Sequence, residues 1–258
     1  MKMFHYAWAA IFSVVLFGCS QPDRNEEVLF QASTINALLE GVYDGEITYG
    51  ELKQHGDFGI GTFNGLDGEM IGLDGMFYQV KSDGVAYAVA DSMKTPFAAV
   101  TFFEADKEVA LDQSVDYEQL RHFLDQMLPT QNIFYAIKIE GTFTYIKTRS
   151  VPGQHKPYPP LVEVVKHQPT FEFHDVTGTI VGFRCPAYVK GVNVPGYHLH
   201  FITEDKKGGG HVLDCRIQDV TIGIDYTSGF YLTLPEASAF YETDLSKEKE
   251  SELEQVEK

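Results

Sequence analysis

The sequence predicts an α+β fold in two parts. The first is a mixed β-sheet domain with helices, and the second is a mainly antiparallel β domain. Three observations predict it. Short apolar segments separated by Asp-Gly turns fill residues 57–89, which is strand patterning. Helical spacing is confined to a few short stretches, nearly all before Pro152. The densest punctuation, PGQHKPYPP over residues 152–160, falls between the two patterns and reads as their connection.

Each element has a local reason. STINALLE, residues 33–40, reads as a short helix stopped by Gly41. Thr48 with Glu51 three residues on is a capping box, so a second short helix follows and ends near Gly56. GIGTF, GEMIG, MFYQV and VAYAV are short strands, and Asp74-Gly75 and Asp83-Gly84 are hairpin turns. Residues 116–128 carry apolar side chains at 117, 120, 123, 124, 127 and 128, which is helical spacing, and Pro129 ends it. NIFYAIKIEGTFTYIKTRSV is a long β segment, bent or turned at Glu140-Gly141. Beyond residue 160, strands are expected at 170–173, 178–184, 197–203, 210–218, 221–225 and 229–234. The domains predicted are therefore 28–160 and 161–245, followed by an acidic tail over 246–258.

The N-terminus stands outside the fold. One Lys precedes an apolar run from Tyr6 to Gly18, too short to span a bilayer, and Leu16-Phe17-Gly18-Cys19 resembles a lipobox. Residues 1–18 read as a lipoprotein signal peptide and 19–27 as a tether. Lipidated Cys19 would be the only membrane link, so the protein is expected to be exported. The chain holds 20 Lys and Arg against 37 Asp and Glu, a formal net charge of −17. That balance argues against nucleic acid as a partner, since phosphate contacts need basic side chains. Two cysteines beyond Cys19, Cys185 and Cys215, make no disulfide framework and read as free, partly buried thiols.

The chemistry concentrates in GYHLHFITEDKKGGGHVLD, residues 196–214, which holds three of the nine histidines. Alternation over 197–203 puts Tyr197, Leu199 and Phe201 on one face and His198, His200 and Ile202 on the other. Residues 204–210 turn the chain, and His211 opens the returning strand. A register pairing residues whose numbers sum to about 413 places His211 opposite Ile202, diagonal to His200 and on its face. A one-residue slip would turn it away. Three imidazoles on one rigid sheet suit Zn²⁺ with open positions, and Ni²⁺, Mn²⁺ or Fe²⁺ suit the same ligands. A second ligand set is open: Gly196-x-His198-x-His200-x-x-x-Glu204 partly resembles a first cupin motif, with Glu204 as ligand, although no second cupin motif follows. On the residues alone, Glu69 is a turn carboxylate, Arg149 a strand-end surface charge and Glu257 part of a frayed tail.

Larger blocks then carry a resemblance. LFQASTINALLEGVYDGEITYGELK, GDFGIGTFNGLDGEMI, KTPFA, NIFYAIKIEGTFTYIKTRSVPGQHKPYPPL and NVPGYHLHFITEDKKGGGHVL resemble α-acetolactate decarboxylases over residues 28–234. The resemblance implies conversion of 2-acetolactate to (R)-acetoin and CO₂, in acetoin biosynthesis, by a homodimer. It implies Zn²⁺ held by His198, His200 and His211 in a cleft between the two domains. Glu69, Arg149 and, more loosely, Glu257 would stand around the metal as catalytic residues, and Thr62 would line the substrate pocket. Zinc would polarise the ketone and hydroxyl oxygens and stabilise an enediolate, which is then protonated on one face. No organic cofactor is needed, and no phosphate-binding glycine motif is present. A zinc hydrolase and a cupin-like binding lipoprotein are the competing readings.

Overall fold

A computed structural model describes residues 27–257. The expected signal peptide, Cys19 and the expected tether up to residue 26 lie outside the described residues. The described chain is mixed α+β, mostly β, with two sheets and few helices.

The strands are β1 (Val28–Ala32), β2 (Phe58–Thr62), β3 (Glu69–Leu73), β4 (Met76–Val80), β5 (Ala86–Ala88), β6 (Ala98–Thr101), β7 (Lys107–Leu111), β8 (Val115–Asp116), β9 (Phe134–Arg149), β10 (Thr170–Cys185), β11 (Gly196–Thr203), β12 (Gly209–Thr227) and β13 (Gly229–Thr233). The helices are α1 (Ile35–Leu39), α2 (Tyr49–Leu52), α3 (Tyr117–Met127), α4 (Leu161–Val164), α5 (Ser238–Glu242) and α6 (Glu250–Glu257).

Local signals hold where they are strong. The Thr48–Glu51 capping box forms at α2. Asp116 caps α3, and all six apolar positions of that helix join one hydrophobic cluster against the second sheet. Asp74 and Gly75 both adopt positive φ, 51° and 76°, as the tight β3–β4 turn requires. Cys185 and Cys215 are free and both fully buried, rather than partly.

The strands differ from expectation in length. The segments 170–173 and 178–184 are one strand, β10, and 210–218 and 221–225 are one strand, β12. β9 also runs through Gly141 without a turn. The polar breaks do not end these strands. The break in β10 keeps its register with β9, whereas the break in β12 is a register shift between Gln218 and Val220, one of three in the β9–β12 ladder with those between Val212 and Asp214 and between Arg216 and Ile217. Such bulges re-aim a strand while its pairing continues.

The first sheet has the order β13-β1-β6-β2-β3-β4-β5, and the second β11-β10-β9-β12-β7 with β8 also on β12. β11 pairs with β12 as well as with β10, so β9, β10, β11 and β12 close into a ring. Sheet membership crosses residues 152–160. β9 from the first half sits between β10 and β12, and β13 from the second half pairs parallel with β1. The 152–160 segment itself is fastened: Gln154 N–H donates to the Gly65 carbonyl at 2.6 Å, and the Tyr43 hydroxyl to the Pro159 carbonyl at 2.9 Å.

The sheets face one another through Phe58, Ile60 and Ile71 on one side and Val181, Phe183 and Ile202 on the other. Burying a side chain of that size contributes roughly 1.5–3 kcal/mol. This contact fixes β3 beneath β11 and so brings a strand of the first sheet to the histidine-bearing strand of the second.

Candidate metal centre

The histidine hairpin is tighter than the sequence suggests. Thr203 N–H donates to the Gly208 carbonyl, and the Thr203 hydroxyl accepts from Lys207 and Gly208 N–H. Gly208 is therefore already paired, and the loop is only residues 204–207. His211 consequently lies directly opposite His200, not opposite Ile202. The correction is two residues. It preserves the parity of the strand, so His211 keeps the face of His198 and His200.

Glycine makes the site's close approach possible. A Cβ on Gly209 would meet the Phe201 carbonyl oxygen at 2.1 Å, and one on Gly210, at φ +132°, would meet the Arg149 carbonyl oxygen at 2.3 Å. β12 can thus lie between β11 and β9, with His211 paired to His200 on one side and to Arg149 on the other. Three functional residues stand side by side on three strands.

All three imidazoles are buried: His198 is 8 % exposed, His200 0 % and His211 2 %. Their ligating atoms lie within 4.8 Å of one another. His200 Nδ1 is 2.8 Å from the Met70 carbonyl, which can only accept, so Nδ1 carries the proton and Nε2 presents a lone pair. His200 Nε2 and His198 Nε2 are 3.3 Å apart. Two nitrogens bound to one tetrahedral zinc at the usual length stand about 3.4 Å apart, so the spacing fits that metal. Burial drives the His198 pKa down to about 3, with the Arg149 charge adding to the effect. Burial holds His200 and His211 well below the usual range too. The imidazoles stay neutral, the form that ligates.

Two carboxylates face the same point. Glu69, the first residue of β3, places Oε2 3.6 Å from His200 Nε2. Glu257, in the last turn of α6, places Oε2 3.9 Å from His198 Nε2 and 3.8 Å from His211 Nε2. Burial raises the Glu69 carboxyl to about 7 against the pull of Arg149, with Glu257 adding to the rise. Burial likewise raises Glu257 to about 7, again opposed by Arg149. Arg149, 4 % exposed, donates from one terminal nitrogen to Glu69 Oε1 at 2.8 Å and from the other to the Val256 carbonyl at 2.9 Å. Its Nε is buried without a hydrogen-bond partner among the described residues. Thr62 pairs with Glu69 across β2 and β3 and gives its hydroxyl proton to the Gly68 carbonyl at 2.7 Å, fixing the turn that delivers Glu69.

The structure therefore brings together His198, His200, His211, Glu69, Arg149, Glu257 and Thr62. It leaves Glu204 exposed on the hairpin turn, so the cupin-like ligand set is not assembled. The three local expectations for Glu69, Arg149 and Glu257 are overturned. None is a surface charge, because sheet-on-sheet packing and the folded-back tail enclose them. Sequence reasoning missed the two backbone carbonyls, of Met70 and Val256, which carry no side-chain signal. It also missed the apolar wall of Ile35, Leu38, Leu66, Phe97, Val151 and Leu161 around a cavity of about 30 Å³.

Comparison with known proteins bears on this arrangement. The family model described as alpha-acetolactate decarboxylase matches residues 29–247, ending before α6. Alpha-acetolactate decarboxylase of Methanosarcina mazei is 55 % identical over 232 residues, covering 90 % of this chain and 81 % of its own. That of Methylococcus capsulatus is 51 % identical, covering 91 % and 90 %. The crystal structure of alpha-acetolactate decarboxylase from Bacillus subtilis strain 168 superposes with a TM-score of 0.88 at 45 % identity, covering 89 % of this chain and 99 % of that one.

Proposed function

The chain belongs to the alpha-acetolactate decarboxylase family, and from that premise we propose that it converts 2-acetolactate to (R)-acetoin and CO₂ at the histidine cluster, with zinc as the metal. One observation carries the reading: three neutral imidazoles converge on a point that also faces Glu69 and Glu257. Zinc held by His198, His200 and His211 would supply a Lewis acid for the substrate's ketone and hydroxyl oxygens.

The remaining work belongs to side chains of this protein. Loss of CO₂ breaks the bond from the carboxylate carbon to the carbinol carbon. The electron pair passes into the neighbouring ketone and leaves an enediolate. Arg149 gives one N–H of each terminal nitrogen to Glu69 and Val256, and its buried Nε–H, without a partner among the described residues, is a donor available to the departing carboxylate. A proton added to one face of the enediolate gives (R)-acetoin. Glu69 and Glu257 are the two acids facing that place. Glu69 is pinned by Arg149, and Glu257 is set by where α6 docks. Leu253 and Val256 of α6 are buried, so the same helix keeps bulk water from protonating the enediolate on either face.

The test is direct. The purified full chain loaded with zinc is expected to release CO₂ and acetoin from racemic 2-acetolactate. A chelator should abolish the activity and added zinc restore it. Folded, zinc-loaded protein that yields no acetoin would sink the reading.

We further propose that the protein is exported, tethered to a membrane by lipid on Cys19, and works as a homodimer. The support is the apolar run ending in Leu16-Phe17-Gly18-Cys19, and, for the dimer, the family resemblance. Cys19→Ala should move the protein from the membrane fraction to the soluble one, where sedimentation should give a two-chain mass. Retention of the variant in membranes would exclude the lipid anchor.

A further inference from the structure

We infer that α6 is the gate of the active site and that Lys249, through Glu40, is the latch that holds it shut. The inference rests on the reading that a five-carbon acid is transformed at the histidine cluster. The cavity there is about 30 Å³, room for about two water molecules, whereas small-molecule sites usually span several hundred cubic ångströms. Val256 and Glu257 of α6 form part of its wall. On the outer side of the same helix lies a groove of about 1200 Å³, walled by Leu253, Glu254 and Glu257 together with Tyr197 and Arg184. α6 lines both the small cavity and the large groove, and Glu257 belongs to the wall of each. Swinging it out joins the two and admits substrate, and docking it again returns Glu257 to the histidines.

Such a motion needs a weakly self-sufficient element and a defined hold on it. α6 has eight residues, too few to stay helical in water by propensity alone, so its structure depends on docking. Its docking includes the following contacts. Leu253 and Val256 pack with Leu161 and Val164 of α4, Arg149 donates to the Val256 carbonyl, and Lys249 crosses to the body of the protein. Lys249 Nζ lies 2.6 Å from Glu40 Oε1, and 2.8 and 2.9 Å from the two carboxylate oxygens of Glu252. The side chains of Lys249 and Glu40 are only 13 % and 19 % exposed. The nearby Lys190 pairs with Glu248 and Glu250 are far more exposed and contribute little.

The placement of Lys249 is not explained by the helix it precedes. A cation at a helix N-terminus is opposed by the helix dipole. Glu40 offsets that opposition from outside the helix. It directly follows α1, and α1 supplies Ile35 and Leu38 to the cavity wall. The latch therefore ties the gate to the wall it closes against. Lys249 touches no reacting atom and is a positioning residue for Glu257.

Two measurements on the zinc-loaded full chain test this. The first is hydrogen exchange of the α6 amides without substrate. Lys249→Met and Glu40→Gln should each speed exchange over 250–257 by about five-fold, as expected for one partly buried ion pair. The double variant should go no further, Lys249→Arg should match the parent, and exchanging the two residues should recover part of the protection. Unchanged exchange, additive effects, or exchange rising equally across both sheets would overturn the latch. This arm holds whether or not acetolactate is the substrate.

The second measurement locks the gate. Glu40→Cys and Lys249→Cys are joined by a short bis-methanethiosulfonate linker, which forms a disulfide with each thiol as methanesulfinate leaves and is cleaved by a phosphine reductant. Cys19 is replaced by Ala in this variant, and Cys185 and Cys215 are buried with thiols pushed up to about 12, and so stay unreactive. Linked protein should lose acetolactate turnover while keeping its zinc, and cleavage should restore it. Undiminished turnover in the linked form would overturn the gate, whereas an inactive zinc-loaded parent chain would count against the decarboxylase reading instead.

Discussion

His211→Ala is expected to lower zinc affinity by at least about 100-fold and to abolish turnover, while Glu204→Ala changes neither. Loss of a partner that only orients a ligand already weakens metal binding by about 10- to 100-fold, so loss of a ligand sets a higher floor. His211 is also the hardest of the three to replace by local movement. It sits on β12 between β11 and β9, where glycines at 209 and 210 let the backbones approach, and no flexible loop adjoins it. Two imidazoles would remain, with Glu69 held by Arg149. Glu204 lies on the exposed turn, and its removal leaves the Thr203–Gly208 closure intact. Zinc stoichiometry under chelator competition, read beside acetoin formation, checks both variants. Stoichiometric zinc in His211→Ala, or lost zinc in Glu204→Ala, would reverse the ligand assignment.

What could be read in the sequence follows from how local each signal is. The Thr48 box, the Asp74-Gly75 turn and the α3 stripe depend on a few neighbouring residues, and each forms where expected. The shared face of the three histidines was legible because strand alternation has period two, so even a two-residue error in register preserved it. Strand length was not legible. Gly141 and the polar breaks in β12 look like turns locally, and only pairing on both sides carries the strands through them. Nor was sheet membership: β13 joins β1 across some 200 residues, and nothing at either strand announces it. Glu69, Arg149 and Glu257 show the same limit at the site. Each sits in a stretch that would be solvent-exposed on its own, and burial comes from partners 80 residues or more away, as the Arg149 contacts to Glu69 and Val256 show. Only the resemblance to relatives could place them in advance.

Deleting everything after Ser251 is the most severe test of the tail, because α6 does two things that a single variant cannot separate. It brings Glu257 within 4 Å of two histidine nitrogens, and it walls the cavity with Val256 while Leu253 beside it is buried. Glu257→Gln removes the carboxylate but keeps the packing and the Arg149 bond to the Val256 carbonyl. It is expected to lower kcat by about 100-fold with KM little changed, the effect of losing one positioned acid. The truncation should lower kcat further, because water enters and Arg149 loses one of its two partners while its pair with Glu69 persists. Zinc should remain bound in both, since the three imidazoles lie on strands that the deletion does not touch. The stereochemistry of the product gives an independent readout. An open site should yield acetoin of reduced enantiomeric excess, whereas Glu257→Gln, still closed, should retain it. Unchanged turnover after truncation would remove the tail from the chemistry. Full stereoselectivity in a truncated but slower enzyme would assign the facial control to Glu69 and Arg149 alone.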